Sequence, residues 1–323
     1  MIISRTPFRI SFAGGGSDLK EYYKENEGAV LSVTINKYMY LSMHPYFHEE
    51  KFFLKYSKNE IVNHVNEIEH PIIRTIFQDY GFKGIDFNSS ADIPSGTGLA
   101  SSSAFTVGLI NLCNTFTGKY MSKEEIAHYA CDIEISRLNE PIGKQDQYAC
   151  AVGGLNFLTF HRNDTVSVEK VILSPLMSKS LEDRLILFYL GTTRTTKSIL
   201  SEQRKNMVND HAKMRNLSHM VELAHKLRKE LMNQNIDAIG EIMHEGWELK
   251  KTLASKISNV LIDEYYTIAR KNGAIGGKLL GAGGGGFFLF FVKKEKRNQL
   301  KAALNMLMEV NFQFDYTGTT IIY

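Results

Sequence analysis

A glycine- and serine-rich loop, Pro94-Ser95-Gly96-Thr97-Gly98-Leu99-Ala100-Ser101-Ser102-Ser103-Ala104, joins two apolar segments of different period. Before it, Gly84 to Ser90 alternates apolar and polar residues, with Ile85 and Phe87 on one face, which predicts a strand. After it, Phe105 to Cys113 is apolar and free of proline, which predicts a buried helix. Glycines let backbone approach a ligand closely, and the first-turn N–H groups of a helix have no intrahelical partners. Those donors and the helix dipole favour an anion, above all a phosphate. A plain turn with a serine cap is the alternative, but three consecutive serines behind two glycines exceed what a cap requires.

The loop does not end in Gly-Lys-Ser/Thr and so is not a Walker A motif. Its order resembles Pro-x-x-x-Gly-Leu-(Gly/Ala)-Ser-Ser, the phosphate loop of the galactokinase, homoserine kinase, mevalonate kinase and phosphomevalonate kinase (GHMP) superfamily. Ala100 stands where that pattern usually has glycine.

At 323 residues the chain is long enough for two domains, and 43% hydrophobic with 23% charged residues is a globular composition. A net charge of +3 gives no reason to expect nucleic acid or a membrane surface as partner. Cys113, Cys131 and Cys150 lie in apolar stretches without metal-type spacing, which predicts buried thiols in a reducing compartment. No apolar signal core opens the chain, and Phe287 to Val292 is too short to cross a bilayer, so a cytoplasmic location is expected.

A second signal lies near the N-terminus. Arg9 to Ala13 alternates as a strand, then Gly14-Gly15-Gly16-Ser17-Asp18 turns into a short helix from Leu19 to about Lys24. Asp18 with Glu21 would form a capping box; alternatively its carboxylate accepts hydrogen bonds from the hydroxyls of a polyol. Sugar kinases of the superfamily carry an aspartate here that contacts the sugar. The Gly-Gly-Gly-Ser-Asp form departs from the galactokinase Gly-Glu-His-Thr-Asp and is similar to the heptose-phosphate branch.

Ala29 to Met43 reads as a strand pair, Ile61 to Tyr80 as mostly helical, and His44, His48, His64 and His70 show no metal spacing. Ser122 to Glu125 is a capping box opening a helix whose apolar stripe is Ile126, Ala127, Ala130, Cys131 and Leu138. Glu134 falls on that stripe, where a carboxylate must be paired with a cationic side chain or bind a cation. The resemblance implies magnesium, held by Glu134 and Ser102. Asp146 lies where a loop re-enters a helix, Gln147 to Val152, and could be only an N-cap. Gly143-Lys144-Gln145-Asp146-Gln147 resembles the superfamily's Gly-x-x-Asp-Gln signature, which implies that Asp146 is the catalytic carboxylate and Arg9 its partner.

A polar stretch, Arg162 to Asp183, divides the chain into expected domains at 1–180 and 181–323. The second half opens with the strand Leu185 to Leu190, followed by Gly191-Thr192-Thr193-Arg194-Thr195-Thr196-Lys197. Helices are expected over Ser198 to Asn233, Ile236 to Leu253 and Ser258 to Asn272. Lys278 to Gly286 contains a literal Gly-x-Gly-x-x-Gly but precedes a strand, so the dinucleotide-binding reading fails. It resembles the third superfamily motif, Lys-Leu-x-Gly-Ala-Gly-Gly-Gly-Gly, which implies that this stretch, with Gly283 and Gly284, lies near the active site. A helix over Lys294 to Met308 and a strand over Phe312 to Tyr323 complete the chain.

The resemblance implies a two-domain α+β fold: an N-terminal domain with a left-handed crossover and a ferredoxin-like C-terminal domain. It implies ATP and magnesium, with Pro94 to Ser103 binding the nucleotide. A sugar phosphate would meet Gly15, Gly16, Ser17, Asp18, Lys144, Arg194, Lys197, Gly283 and Gly284. The expected substrate is D-glycero-D-manno-heptose 7-phosphate, phosphorylated at the anomeric hydroxyl; the alternatives are an L-fucose-type sugar 1-kinase and a catalytically inactive sensor.

Overall fold

The computed structural model describes residues 1–191 and 196–323, with nothing said of the Thr196 side chain. Arg194 therefore lies outside the described residues. The first half contributes seven strands, β1 (Ile2–Ala13), β2 (Gly28–Pro45), β3 (Phe52–Lys55), β4 (Asn59–Val62), β5 (Ile85–Ala91), β6 (Leu155–Phe160) and β7 (Val166–Lys170), to a nine-stranded, largely antiparallel sheet. Its helices are α1 (Lys20–Tyr23), α2 (Pro71–Tyr80), α3 (Ser101–Phe116), α4 (Lys123–Cys131) and α5 (Gln145–Val152). Helix α6 (Pro175–Arg184) leads to the second sheet.

That sheet has four strands, β8 (Leu185–Tyr189), β9 (Ala274–Leu279), β10 (Phe287–Val292) and β11 (Met308–Glu309), in the order β11-β8-β10-β9. Helices α7 (Thr196–Asn209), α8 (His211–Met232), α9 (Ala238–Lys251) and α10 (Val260–Lys271) lie between β8 and β9 in sequence, and α11 (Arg297–Ala303) lies between β10 and β11. This is the ferredoxin-like β-α-β-β-α-β arrangement, and with the mixed first half it makes the chain α+β as expected.

Several element boundaries differ from the sequence reading for local reasons. Residues 29–43 are one strand rather than a pair, because Pro7 faces Tyr38 and Phe8 faces Ile35, so Asn36 and Lys37 form a bulge, not a turn. Its two halves serve different neighbours, Gly28 to Val33 pairing β6 and Met39 to Pro45 pairing β5. Helix occupies only half of Ile61 to Tyr80, starting at Pro71, whose fixed φ suits the first turn. The helix expected from Ser198 to Asn233 is two, because the Asp210 carboxylate accepts the N–H groups of Ala212 (2.9 Å) and Lys213 (3.2 Å) and caps a new start.

The C-terminal helix ends at Ala303, and the strand expected after it is two short pieces, β12 (Phe314–Asp315) and β13 (Thr320–Ile321). They join β2 and β1 of the first sheet, so the tail of the chain crosses back to the N-terminal half. Asp315 Oδ1 makes the turn between them by accepting the N–H groups of Thr317 (2.9 Å) and Gly318 (3.2 Å). Helix α3, buried over most of its length, packs on β1 and β2 and brings the start of its first turn to the edge of a cleft between the halves.

Candidate active site

The cleft encloses about 340 Å³. The loop before α3 forms one wall, and its close packing explains its glycines. A Cβ on Gly98, whose φ is +86°, would stand 2.6 Å from Leu280 O, and one on Gly281 would stand 2.5 Å from Gly98 Cα. The loop therefore rests backbone to backbone on the glycine-rich turn after β9, a contact no side chain would permit. Ala100 immediately precedes α3 at φ +71°, the left-handed conformation that favours glycine. Gly96, Gly98 and Ala100 to Ser103 face the cleft. Thr97 and Leu99 are buried beneath it, Thr97 Oγ1 donating to Pro94 O at 2.9 Å and Leu99 O accepting from Arg9 N at 3.2 Å.

Alternation along β1 places Arg9 and Ser11 on one face, toward the cleft. The buried Arg9 guanidinium donates from Nη1 to Gly98 O (2.7 Å) and from Nε to Asp146 Oδ1 (2.8 Å), with Nη2 2.7 Å from the same oxygen. Asp146 is not a helix cap, since α5 begins at Gln145 and no side chain caps it. Its carboxylate lines the cleft, with Oδ2 unbonded among the described residues.

Asp18 also lines the cleft and does not form the capping box. Glu21 turns instead to Arg204, at 2.6 Å from its Nε. Asp18 accepts from Gly16 N (3.0 Å) and Gln145 N (3.1 Å), and burial, with the nearby Asp146 charge, raises its pKa above the ordinary carboxylate value.

Glu134 is fully buried at the π-helical end of α4, accepting from Ser102 Oγ (2.7 Å) and Gln147 Nε2 (2.8 Å). No cationic side chain among its bonded partners supports the ion-pair alternative. Burial raises its pKa, so the site holds an uncompensated carboxylate directly behind the first turn of α3. Two hard oxygen donors suit a small divalent cation whose shell is completed by phosphate oxygens and water. Among the described residues no group of three or more His, Cys, Asp or Glu could hold a metal by itself.

Some expected substrate residues stand elsewhere. Ser17 is buried with its hydroxyl on Gly14 O (2.8 Å), and Lys144 is bonded to Asp164. The lining ends at Ala282; Gly283 packs against Ile257, and Gly284 N donates to Ile257 O at 2.9 Å. Gly15 and Gly16 do line the cleft, and Lys197 stands at its mouth, donating to Glu140 Oε1 at 2.7 Å.

The sequence reading assigned no role to Gln145, Gln203 or two buried lysines, Lys250 and Lys278, all of which line the cleft. Lys250 had a signal: it continues the buried stripe Ile239, Ile242, Met243, Trp247 at helical spacing, where a lysine needs a reason.

Family models described as GHMP kinases N terminal domain and GHMP kinases C terminal match residues 63–154 and 227–309. The chain is 30% identical to the D-glycero-alpha-D-manno-heptose 7-phosphate kinase of Campylobacter jejuni, over 98% of this chain and 96% of that protein. It is 27% identical to the bifunctional fucokinase/GDP-fucose pyrophosphorylase of Arabidopsis thaliana, over 86% of this chain and 28% of that one. A D-glycero-D-manno-heptose 1-phosphate kinase from Bacteroides thetaiotaomicron superposes with a TM-score of 0.82 at 24% identity, over 100% of this chain and 99% of that one. The chain belongs to the GHMP kinase family and is a phosphotransferase.

Proposed function

We propose that this protein transfers the γ-phosphoryl group of ATP to the anomeric hydroxyl of a heptose 7-phosphate. The observation that carries the reading is the Arg9–Asp146 pair, set in one cleft between the first turn of α3 and the Asp18 loop. The near-full-length likeness to the Campylobacter jejuni protein favours a heptose 7-phosphate as acceptor. Gly96 to Ser103 cradle the ATP phosphates through backbone donors and the helix dipole. Ser102 and Glu134 would hold Mg²⁺, which would supply charge neutralisation for the nucleotide phosphates. Asp146 accepts or orients the proton of the attacking hydroxyl, Arg9 fixes the carboxylate, and Asp18 with Gly15 and Gly16 receives sugar hydroxyls.

The test is ATP turnover over a panel of heptose 7-phosphate, the unphosphorylated heptose and L-fucose, with the product's phosphorylated carbon assigned by ³¹P–¹H correlation. A 1,7-bisphosphate as the preferred product is expected. Preference for unphosphorylated fucose, which the likeness to the Arabidopsis thaliana protein favours, would replace the substrate while keeping the chemistry.

A further inference from the structure

Two buried lysines in the cleft have no part in that scheme. Lys250 on α9 and Lys278 on β9 are 7% and 3% exposed, and both line the cavity. Their hydrogen bonds among the described residues go only to neutral oxygens. Lys250 Nζ donates to Leu279 O (2.9 Å) and Gly281 O (2.6 Å); Lys278 Nζ reaches Ser11 Oγ at 3.4 Å. An ammonium has three N–H donors, so one on Lys250 and two on Lys278 remain unused.

Their placement follows the line of transfer. Lys250 holds the carbonyl of Gly281, and Gly281 rests on Gly98, whose own carbonyl is held by Arg9 Nη1. Lys250 is thereby fixed at the phosphate loop. Lys278 reaches Ser11, which shares a β1 face with Arg9 and lies beside Gly15 of the sugar loop. The pair spans from donor side to acceptor side.

Three cations, Arg9, Lys250 and Lys278, converge here, and among the described residues no carboxylate bonds either lysine, Asp146 being held by Arg9. Burial, then the Arg9 charge, lowers Lys250 to about 7; burial, Lys250 and Arg9 together push Lys278 well down. Buried like charges without counter-ions are unfavourable unless an anion completes the site.

We propose that Lys250 and Lys278 receive the phosphoryl group in transfer, binding its equatorial oxygens as it passes from the nucleotide to the acceptor hydroxyl. Preorganised ammonium donors suit the charge those oxygens carry during transfer. This deepens the kinase reading and rests on it.

The test compares an ATP analogue with a non-hydrolysable β–γ bridge against ADP, with magnesium, on the full chain. Lys278→Met is the main variant because it gives up one long hydrogen bond and so keeps the fold. We expect the analogue to bind about tenfold more weakly, ADP binding to stay within about twofold, and kcat to fall roughly 10²- to 10³-fold. Lys278→Arg should recover part of kcat. Lys250→Met should behave alike, with a melting scan reporting any loss of fold. Equal changes for analogue and ADP, or full kcat in a folded Lys278→Met, would overturn the proposal. Should no sugar in the panel be phosphorylated, the substrate reading fails separately, and the analogue-to-ADP affinity ratio still decides for or against the lysine pair.

Discussion

Arg9 grips Asp146 by one oxygen only. Its Nε at 2.8 Å and Nη2 at 2.7 Å both meet Oδ1, and Gln145 Nε2 adds a third donor to that same oxygen at 3.0 Å. No donor among the described residues reaches Oδ2, so the carboxylate is held at one end and open at the other. That is the arrangement a proton acceptor needs, with orientation fixed by the guanidinium fork and a lone pair left for the hydroxyl.

Asp146→Asn keeps the shape and the anchored oxygen while removing the charge. Positioned acid–base groups contribute about 10²- to 10⁴-fold, so kcat should fall by that order with ADP affinity unchanged. A folded variant with near-normal kcat would reduce Asp146 to a structural partner of Arg9.

Glu134→Gln separates metal binding from folding. The carboxylate is buried without a cation, so an amide should leave the melting temperature equal or higher in the absence of magnesium. Half-maximal rate should then need more magnesium, because an amide is a poorer ligand for a hard cation. An unchanged magnesium titration would remove Glu134 from the metal site.

The loop offers a paired test in glycine and alanine. Gly98→Ala would drive a Cβ to 2.6 Å from Leu280 O in a left-handed backbone, so stability and nucleotide affinity should drop together. Ala100→Gly, at φ +71°, relieves a left-handed alanine worth about 1–2 kcal/mol against about 0.4–1 kcal/mol of added chain entropy. Chemical denaturation should show it neutral or slightly stabilising. A clear loss at position 100 would show that the methyl group packs usefully.

Much of this site was legible because its parts are local. The strand–loop–helix around Ser101, the helix carrying Glu134 and the Asp146 turn each announce themselves within about ten residues. What escaped depends on pairing across the chain. Asn36 and Lys37 look like a turn until β1 shows that they are a bulge. Lys144 looks like a substrate cation until Asp164 appears beside it. Gly283 and Gly284 were expected at the site, yet their spacing serves packing on Ile257, while the neighbouring Gly281 does the supporting. Lys250 lies 104 residues past Asp146 in numbering, and only the meeting of α9 with β9 brings it to the cleft.

Lys250 also predicts a pH dependence. Its pKa is about 7 when folded, against the ordinary 10.5, so between those values the unfolded chain binds more protons at this site. Stability from this group therefore rises with pH across that window and is level below it. Lys250→Met removes the titration. Its melting temperature relative to wild type should be most favourable at pH 7 and below and should decline toward pH 9. A constant difference from pH 6 to 9 would mean that Lys250 stays charged throughout.

The last prediction concerns the acceptor's own phosphate. Lys197 stands at the mouth of the cleft, 63% exposed, in an ion pair with Glu140. An exposed pair of this kind is worth about 0–1 kcal/mol, so a phosphate dianion can displace the carboxylate at little expense. Arg194 is a second cation three residues earlier in sequence, in a run of threonines. If the substrate carries a 7-phosphate, Arg194→Ala should weaken it by about 2–3 kcal/mol, the scale of hydrogen bonds to charged groups. Read as kcat/KM, that is roughly 30- to 150-fold. Lys197→Ala should act in the same direction but less, because the lysine is already shared with Glu140. Turnover of the unphosphorylated heptose should barely move in either variant, since no charged partner is lost. Equal losses on both substrates would make this segment a structural element of α7, and no loss on either would place the substrate phosphate elsewhere in the cleft.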